Sequence, residues 1–161
     1  MSGLDVSRFP ARARGRSFED FSVGQVFSHH WGRTLTEADN VLFTASTLAY
    51  NPIYFNAEAA RAQEHPTTVI NPMLVFTTVL GLSVEDLSEA GGPFLGLDAL
   101  SFHAAVYPGD TLSARSEVVA ARESESRPGA GIVTWSTEGF NQRDERVIEY
   151  RRSNLLFKRG G

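Results

Sequence analysis

Side chains able to hand over a proton or polarise a carbonyl group are few in this 161-residue chain, and they are unevenly spread. Tyr50, Asn51 and Tyr54 fall in the stretch Leu48-Ala49-Tyr50-Asn51-Pro52-Ile53-Tyr54-Phe55-Asn56, which interrupts one amphipathic helical pattern and ends in the cap of another. A phenol can donate a proton or a hydrogen bond, but a group that ionises near pH ~10 is a poor base at neutrality. The two tyrosines also suit packing aromatics whose hydroxyls reach a partner, and Asn51 suits a loop fastened by side-chain bonds to nearby backbone. Asp39 and Glu37 stand at a predicted helix start, where carboxylates cap orphan amides and stay ionised. His103, between Phe102 and Ala104 on a predicted strand, can enter a site or rest as a half-buried, hydrogen-bonded group. His29 and His30 are adjacent on a strand and so point opposite ways. They read as structural or surface residues, and no two histidines or carboxylates show a metal-ligand spacing, so no metal or redox cofactor is implied.

The elements that must position these groups are legible in the pattern. Gln25 to Thr34 reads as a strand, with Phe27, His29, Trp31 and Arg33 on one face. Thr34-Leu35-Thr36-Glu37-Ala38-Asp39 starts a helix whose Ala38, Val41, Leu42, Ala45 and Leu48 form one stripe, expected to be buried, and which must break before Pro52. Asn56 caps a short helix, Ala57 to Gln63. Asn71 followed by Pro72 is a helix start, with the cap residue and then proline at the first helical position. The run from Met73 to Leu82 is apolar almost all round, which predicts a helix enclosed by other structure. Ser83-Val84-Glu85-Asp86 extends or restarts it before Gly91-Gly92-Pro93. Beyond Phe94, four alternating runs, Leu95 to Val106, Thr111 to Arg122, Gly131 to Gln142 and Arg146 to Lys158, are separated by turn compositions and predict an antiparallel meander. One strand, a helical section and four long strands make an α+β architecture, a curved sheet around a helix.

Composition narrows the class. Hydrophobic residues are 42% and charged residues 21% of the chain, which suits one well-packed domain. A net charge of −4 argues against a nucleic-acid or anionic-membrane surface. There is no cysteine, hence no disulfide or thiolate nucleophile, which fits a reducing cytoplasm. No run of ~18 apolar residues offers a membrane span. Residues 1–17 carry Arg8, Arg12, Arg14 and Arg16 without an apolar block and read as a mobile or loosely docked tail, leaving 18–159 as the domain.

The chain resembles the MaoC-like dehydratase family, whose fold is the hot dog. The resemblance runs from about Phe18 to Arg159 and rests on four motifs. Two are general to the family: Asn51-Pro52-Ile53 before the capped helix, and Val106-Tyr107-Pro108-Gly109-Asp110-Thr111-Leu112. The other two, Gly32-Arg33-Thr34-Leu35-Thr36-Glu37-Ala38-Asp39-Asn40 and Glu123-Ser124-Glu125-Ser126-Arg127-Pro128, look like its branch acting on mesaconyl-CoA or β-methylmalyl-CoA.

That resemblance implies hydration or dehydration of an enoyl thioester, carried on CoA or an acyl carrier, by the acid-base motif Asp-x-Asn-Pro-x-His. Ala49 stands at the aspartate position and Tyr54 at the histidine position, so the pair is absent as such. The implied site is therefore a rebuilt one around Tyr50, Asn51, Tyr54 and Asn71, with Asp39 and His103 as replacement acid-base candidates. Pro72 and Met73, at the start of the central helix, are the implied binding point for the thioester carbonyl. Arg127 offers planar donors to a CoA phosphate or substrate carboxylate. Two other readings stand beside this one. One is a non-catalytic thioester-binding or structural subunit, and the other is repurposed chemistry such as thioester hydrolysis, decarboxylation or isomerisation. The implied assembly is a homodimer with a continuous sheet and sites at the subunit interface, or a heteromer with a catalytically complete hot-dog partner.

Overall fold

A computed structural model of the chain describes residues 14–160. The elements are β1 (Val26–Ser28), β2 (Arg33–Thr34), α1 (Glu37–Thr47), α2 (Ala57–Arg61), α3 (Pro72–Leu82), α4 (Val84–Leu87), β3 (Phe94–Phe102), β4 (Thr111–Glu123), β5 (Ala130–Phe140) and β6 (Arg146–Phe157), with 3-10 turns at Phe18–Asp20 and Pro52–Tyr54. Six antiparallel strands run in the order β1-β4-β5-β6-β3, and β2 also pairs with β4. This is the expected hot-dog arrangement, a sheet holding α3 on its inner face. Of the predicted tail, residues 1–13 lie outside the described region. Arg14 pairs with Glu89 at 3.5 Å and Arg16 Nε donates to the Asp86 carbonyl at 3.1 Å, so residues 14–17 lie against α4.

β5 and the first half of β4 alternate as their sequence requires, with Leu112, Ala114, Ser116 and Val118 of β4 turned inward and the residues between them outward, whereas β3 is bulged twice and does not alternate. Inner-face residues pair in rows across the sheet. One row is Ala114, Gly139 and Ile148, and α3 crosses the sheet there. A Cβ added at Gly139 would stand 2.7 Å from Val79 Cγ2 and 2.6 Å from Ile148 Cγ2, so the absent side chain is what allows the helix to seat. The next row is polar: Ser116, Thr137 and Tyr150. His29 extends it, with Nδ1 2.8 Å from Asp86 Oδ2 and Nε2 2.9 Å from Ser116 Oγ, and Ser116 Oγ lies 2.8 Å from Thr137 Oγ1. This seam separates an apolar cluster under α3 from a second one around Phe21, Leu87, Val118, Trp135 and Leu156.

Three sequence expectations are corrected. The strand predicted over Gln25 to Thr34 is two short strands, β1 and β2, with a break between Ser28 and Arg33. His29 is buried and His30 exposed, on opposite sides as expected, but the break turns Trp31 and Arg33 out to solvent instead of leaving them beside Phe27. The second correction concerns α1, which buries Asn40 and Thr44 and leaves Val41, Leu42 and Leu48 at 44%, 69% and 72% exposure. The apolar stripe faces outward because the opposite face carries the amide that three backbone groups of the neighbouring loop require. Third, α3 is enclosed on one side only. Val75, Val79 and Leu82 are buried against the sheet, while Met73, Thr77 and Gly81 face outward.

Candidate active site

The segment singled out in the sequence is shaped by its caps. α1 begins with a capping box in which Thr36 Oγ1 accepts from the Asp39 amide at 3.2 Å and Asp39 Oδ2 accepts from the Thr36 amide at 2.9 Å. It ends at Leu48, whose φ of 57° puts the chain into the left-handed region that closes a helix. The Ala49 amide donates to the Thr44 carbonyl at 3.1 Å, and the Asn51 side chain accepts weakly from the Ile53 amide at 3.4 Å, leading into the Pro52–Tyr54 turn. Asn56 then caps α2 by accepting from the amides of Glu58 and Ala59.

Asn40 holds this segment to the rest of the fold. It is fully buried, and its Nδ2 donates to the carbonyls of Tyr54 at 2.7 Å and Val69 at 2.8 Å while its Oδ1 accepts from the Asn71 amide at 2.7 Å. Two backbone bonds complete the frame, Val69 N–H to Ile53 C=O and Ile70 N–H to Val106 C=O, both 2.9 Å. The result is an open cleft of about 330 Å3 bordered by Ile53, Tyr54, Val69, Ile70, Pro72, Val75 and the run from Phe102 to Val106. That volume lies within the ~300–1,000 Å3 usual for small-molecule sites.

Of the predicted site residues, the cleft brings together Tyr54, Pro72 and His103. His103 Nε2 lies 3.5 Å from Glu149 Oε1, and Glu149 Oε2 in turn takes Arg146 at 2.8 Å. The imidazole thus has a carboxylate neighbour on an anchored strand. Asn71 is buried at the head of α3, where its Oδ1 accepts from the Met73 amide at 2.9 Å. The Leu74 and Val75 amides both donate to the Asn71 carbonyl, and Pro72 has no amide hydrogen. The head of α3 therefore keeps no free backbone donor among its first residues, contrary to the implied carbonyl-binding amides. What remains is the positive end of the helix dipole and the Asn71 Nδ2 that the cap does not use.

The other candidates lie elsewhere. Asp39 Oδ1 takes Arg33 at 2.8 Å, and the side-chain and backbone bonds from Thr36, with Arg33 beside them, hold its carboxyl below the usual range. That carboxylate is committed to its cap and does not line the Tyr54 cleft. Tyr50, 61% exposed, borders a separate apolar groove of about 220 Å3 with Val41, Thr44, Ala45 and Phe55. Neither Asn51, Ala49 nor the exposed Met73 lines the Tyr54 cleft. Arg127 lies in the β4–β5 turn, on the order of 30 Å along the sheet from the row through Ala114 and Ile148. It lines no part of the Tyr54 cleft. Among the described residues no three His, Asp or Glu side chains gather as metal ligands would, and no helix is long and apolar enough to cross a membrane.

Sequence reasoning misses Asn40, the last residue of the Gly32–Asn40 motif, and Glu149 behind His103. A polar pair at Asn40 and Thr44, four residues apart on a helix with an apolar stripe elsewhere, was the available signal.

Comparison with known proteins shows the family and the fold. The family pattern described as mesaconyl-CoA hydratase matches residues 4–161. A protein called mesaconyl-CoA hydratase from Haloarcula marismortui is 39% identical over 155 residues, which cover 96% of this chain and 43% of that one. A crystal structure of a MaoC domain protein dehydratase from Chloroflexus aurantiacus superposes with a TM-score of 0.87 at 35% identity, over 94% of this chain and 43% of that one. A Mycobacterium tuberculosis protein described as having a double hot-dog fold gives a TM-score of 0.80 at 26% identity, over 92% of this chain and 46% of that one. The chain thus spans less than half the length of these three relatives.

Proposed function

The chain belongs to the mesaconyl-CoA hydratase family of MaoC-like hot-dog proteins, and from that membership we propose that it adds water to, or removes it from, a small branched dicarboxylic acyl-CoA. The observation that carries this reading is the meeting of Tyr54, His103 and the head of α3 in one cleft of substrate size. Hydration of an enoyl thioester needs a base to take a proton from water, an acid to return one to the α-carbon, and stabilisation of the negative charge that develops on the carbonyl oxygen. His103, with Glu149 beside it, is the base; the Tyr54 hydroxyl is the acid; the head of α3 faces the carbonyl. In this reading Tyr54 replaces the family histidine in place, and His103 replaces the missing aspartate from across the cleft. The test is a spectroscopic assay of the purified chain against a panel of enoyl and 3-hydroxyacyl-CoA thioesters that includes mesaconyl-CoA and β-methylmalyl-CoA. Turnover of the branched dicarboxylic members is expected, and none above background on any member would refute the assignment.

Two observations favour a non-catalytic, thioester-binding subunit instead: Ala49 at the family's aspartate position, and the Met73 amide taken up by Asn71. On that reading the same panel gives no turnover, while CoA thioesters still bind by calorimetry and activity appears only with a hot-dog partner carrying both acid-base residues.

Either reading involves a second hot-dog unit, which in the simplest assembly is another copy of this chain. β3 pairs with β6 on one side alone, exposes Phe94, Leu95 and Phe102, and ends in the residue that begins one wall of the cleft. Unpaired edges of this kind are normally covered. A second β3 alongside would continue the sheet and close the open side of the cleft. Light scattering is expected to report a dimer, and a monomer at working concentration would overturn this arrangement.

A further inference from the structure

Among the described residues, the inner face of the sheet holds a cation with no counter-ion. Arg152 is 2% exposed on β6, directly across from Trp135 of β5, with its guanidinium carbon 5.3 Å from the centre of the indole ring. Its Nε and Nη2 are both buried and bond to nothing. These two nitrogens form one edge of the guanidinium, the fork that ordinarily takes two oxygens of an anion side by side. Trp135 Nε1 on the same face is also buried and unbonded, whereas the buried Tyr150 hydroxyl has Thr137 and Ser83 as its neighbours. Tyr150 is 1% exposed and burial pushes its hydroxyl up, so it stays a neutral donor and supplies no negative charge. Asn154 Oδ1, a buried acceptor one inward position further along β6, does not reach the fork.

A buried guanidinium is retained in proteins when its charge is matched and its N–H groups are bonded, because stranding either is costly. The interaction with Trp135 covers the face of the guanidinium and leaves its edge open. What the arrangement lacks, among the described residues, is an acceptor carrying a negative charge. We propose that the Arg152 fork, stacked at its face on Trp135, is an internal binding site for one small inorganic monovalent anion of halide size. The anion would tie β5 to β6, and because neither Arg152 nor Trp135 lines the Tyr54 cleft, the site is independent of any reading of the catalytic function.

The test uses the whole chain, with chloride replacing gluconate at constant ionic strength. The wild-type melting temperature is expected to rise by about 5–10 °C for each hundredfold increase in chloride beyond half-saturation, and that of Arg152→Met to stay flat. Equal responses of the two proteins would mean a general salt effect and overturn the proposal. A second measurement needs no change at Arg152. The chain has two tryptophans, Trp31 and Trp135, so Trp31→Phe leaves Trp135 as the only indole emitter. Bromide should quench its emission with saturation, and chloride should compete. Quenching that is linear in bromide and blind to chloride would refute the site, whether or not Arg152→Met folds.

Discussion

Replacing Asn40 with alanine tests whether one side chain holds the cleft together. Asn40 makes three bonds, to the Tyr54 carbonyl, the Val69 carbonyl and the Asn71 amide, all between 2.7 and 2.8 Å. Alanine removes every one of them and brings no replacement. A buried polar group left without a partner costs about 1–3 kcal/mol. The Tyr54 carbonyl, at the less buried end, can be reached by water, so the Val69 and Asn71 groups carry most of the cost. The expected loss is about 3–5 kcal/mol, a large part of the ~5–15 kcal/mol that holds a domain folded. Urea unfolding gives the total from the midpoint at constant slope, and amide hydrogen exchange at Asn71 shows whether the loss sits at the head of α3. Asn40→Asp sharpens the test. It keeps an acceptor for the Asn71 amide but sets a carboxylate against two carbonyl oxygens, so its penalty should shrink on acidification as the group gains a proton it can donate. A loss below ~1 kcal/mol for alanine, with Asn71 protected as in the wild type, would refute the reasoning.

Further outcomes can be stated briefly. Tyr54→Phe should lower kcat on the best thioester of the panel by about 10²-fold with little change in KM; an unchanged kcat would remove that hydroxyl from the chemistry. Gly139→Ala should cost about 1–3 kcal/mol by pushing a methyl into Val79 and Ile148, and Val79→Ala in the same chain should recover part of it in thermal melts. Burial pushes the Asp110 carboxyl up, but bonds from the Tyr107 amide, Gln142 and Arg143 outweigh it and hold the group below the ordinary aspartate range. A carboxyl depressed in the folded state stabilises the protein fully above its unfolded pKa of about 3.9, and that stability is lost as pH falls through the lower folded value. Acid unfolding should therefore be less steep in Asp110→Asn below pH ~4, and identical acid limbs would show that the bonds contribute nothing.

The sequence by itself determined the elements and their order. Alternation over the four long strands, turn residues between them and the Asn71-Pro72 start of α3 are local signals, and each matches an element within a few residues. The motif segment was also legible, because proline and two capping asparagines fix an irregular loop through bonds to their own neighbours. Facing was decided by tertiary structure. The apolar stripe of α1 named the wrong side, since periodicity cannot register that three distant backbone groups need the Asn40 amide. The same holds for the site. Tyr54 and His103 meet because Ile70 pairs with Val106 and Ile53 with Val69, contacts between residues far apart in the chain. Asp39 and Arg127 carry suitable chemistry, but a cap claims one and the other lies in the β4–β5 turn, outside the cleft. Residue types tell what a side chain can do, and long-range pairing selects which of them share a cleft.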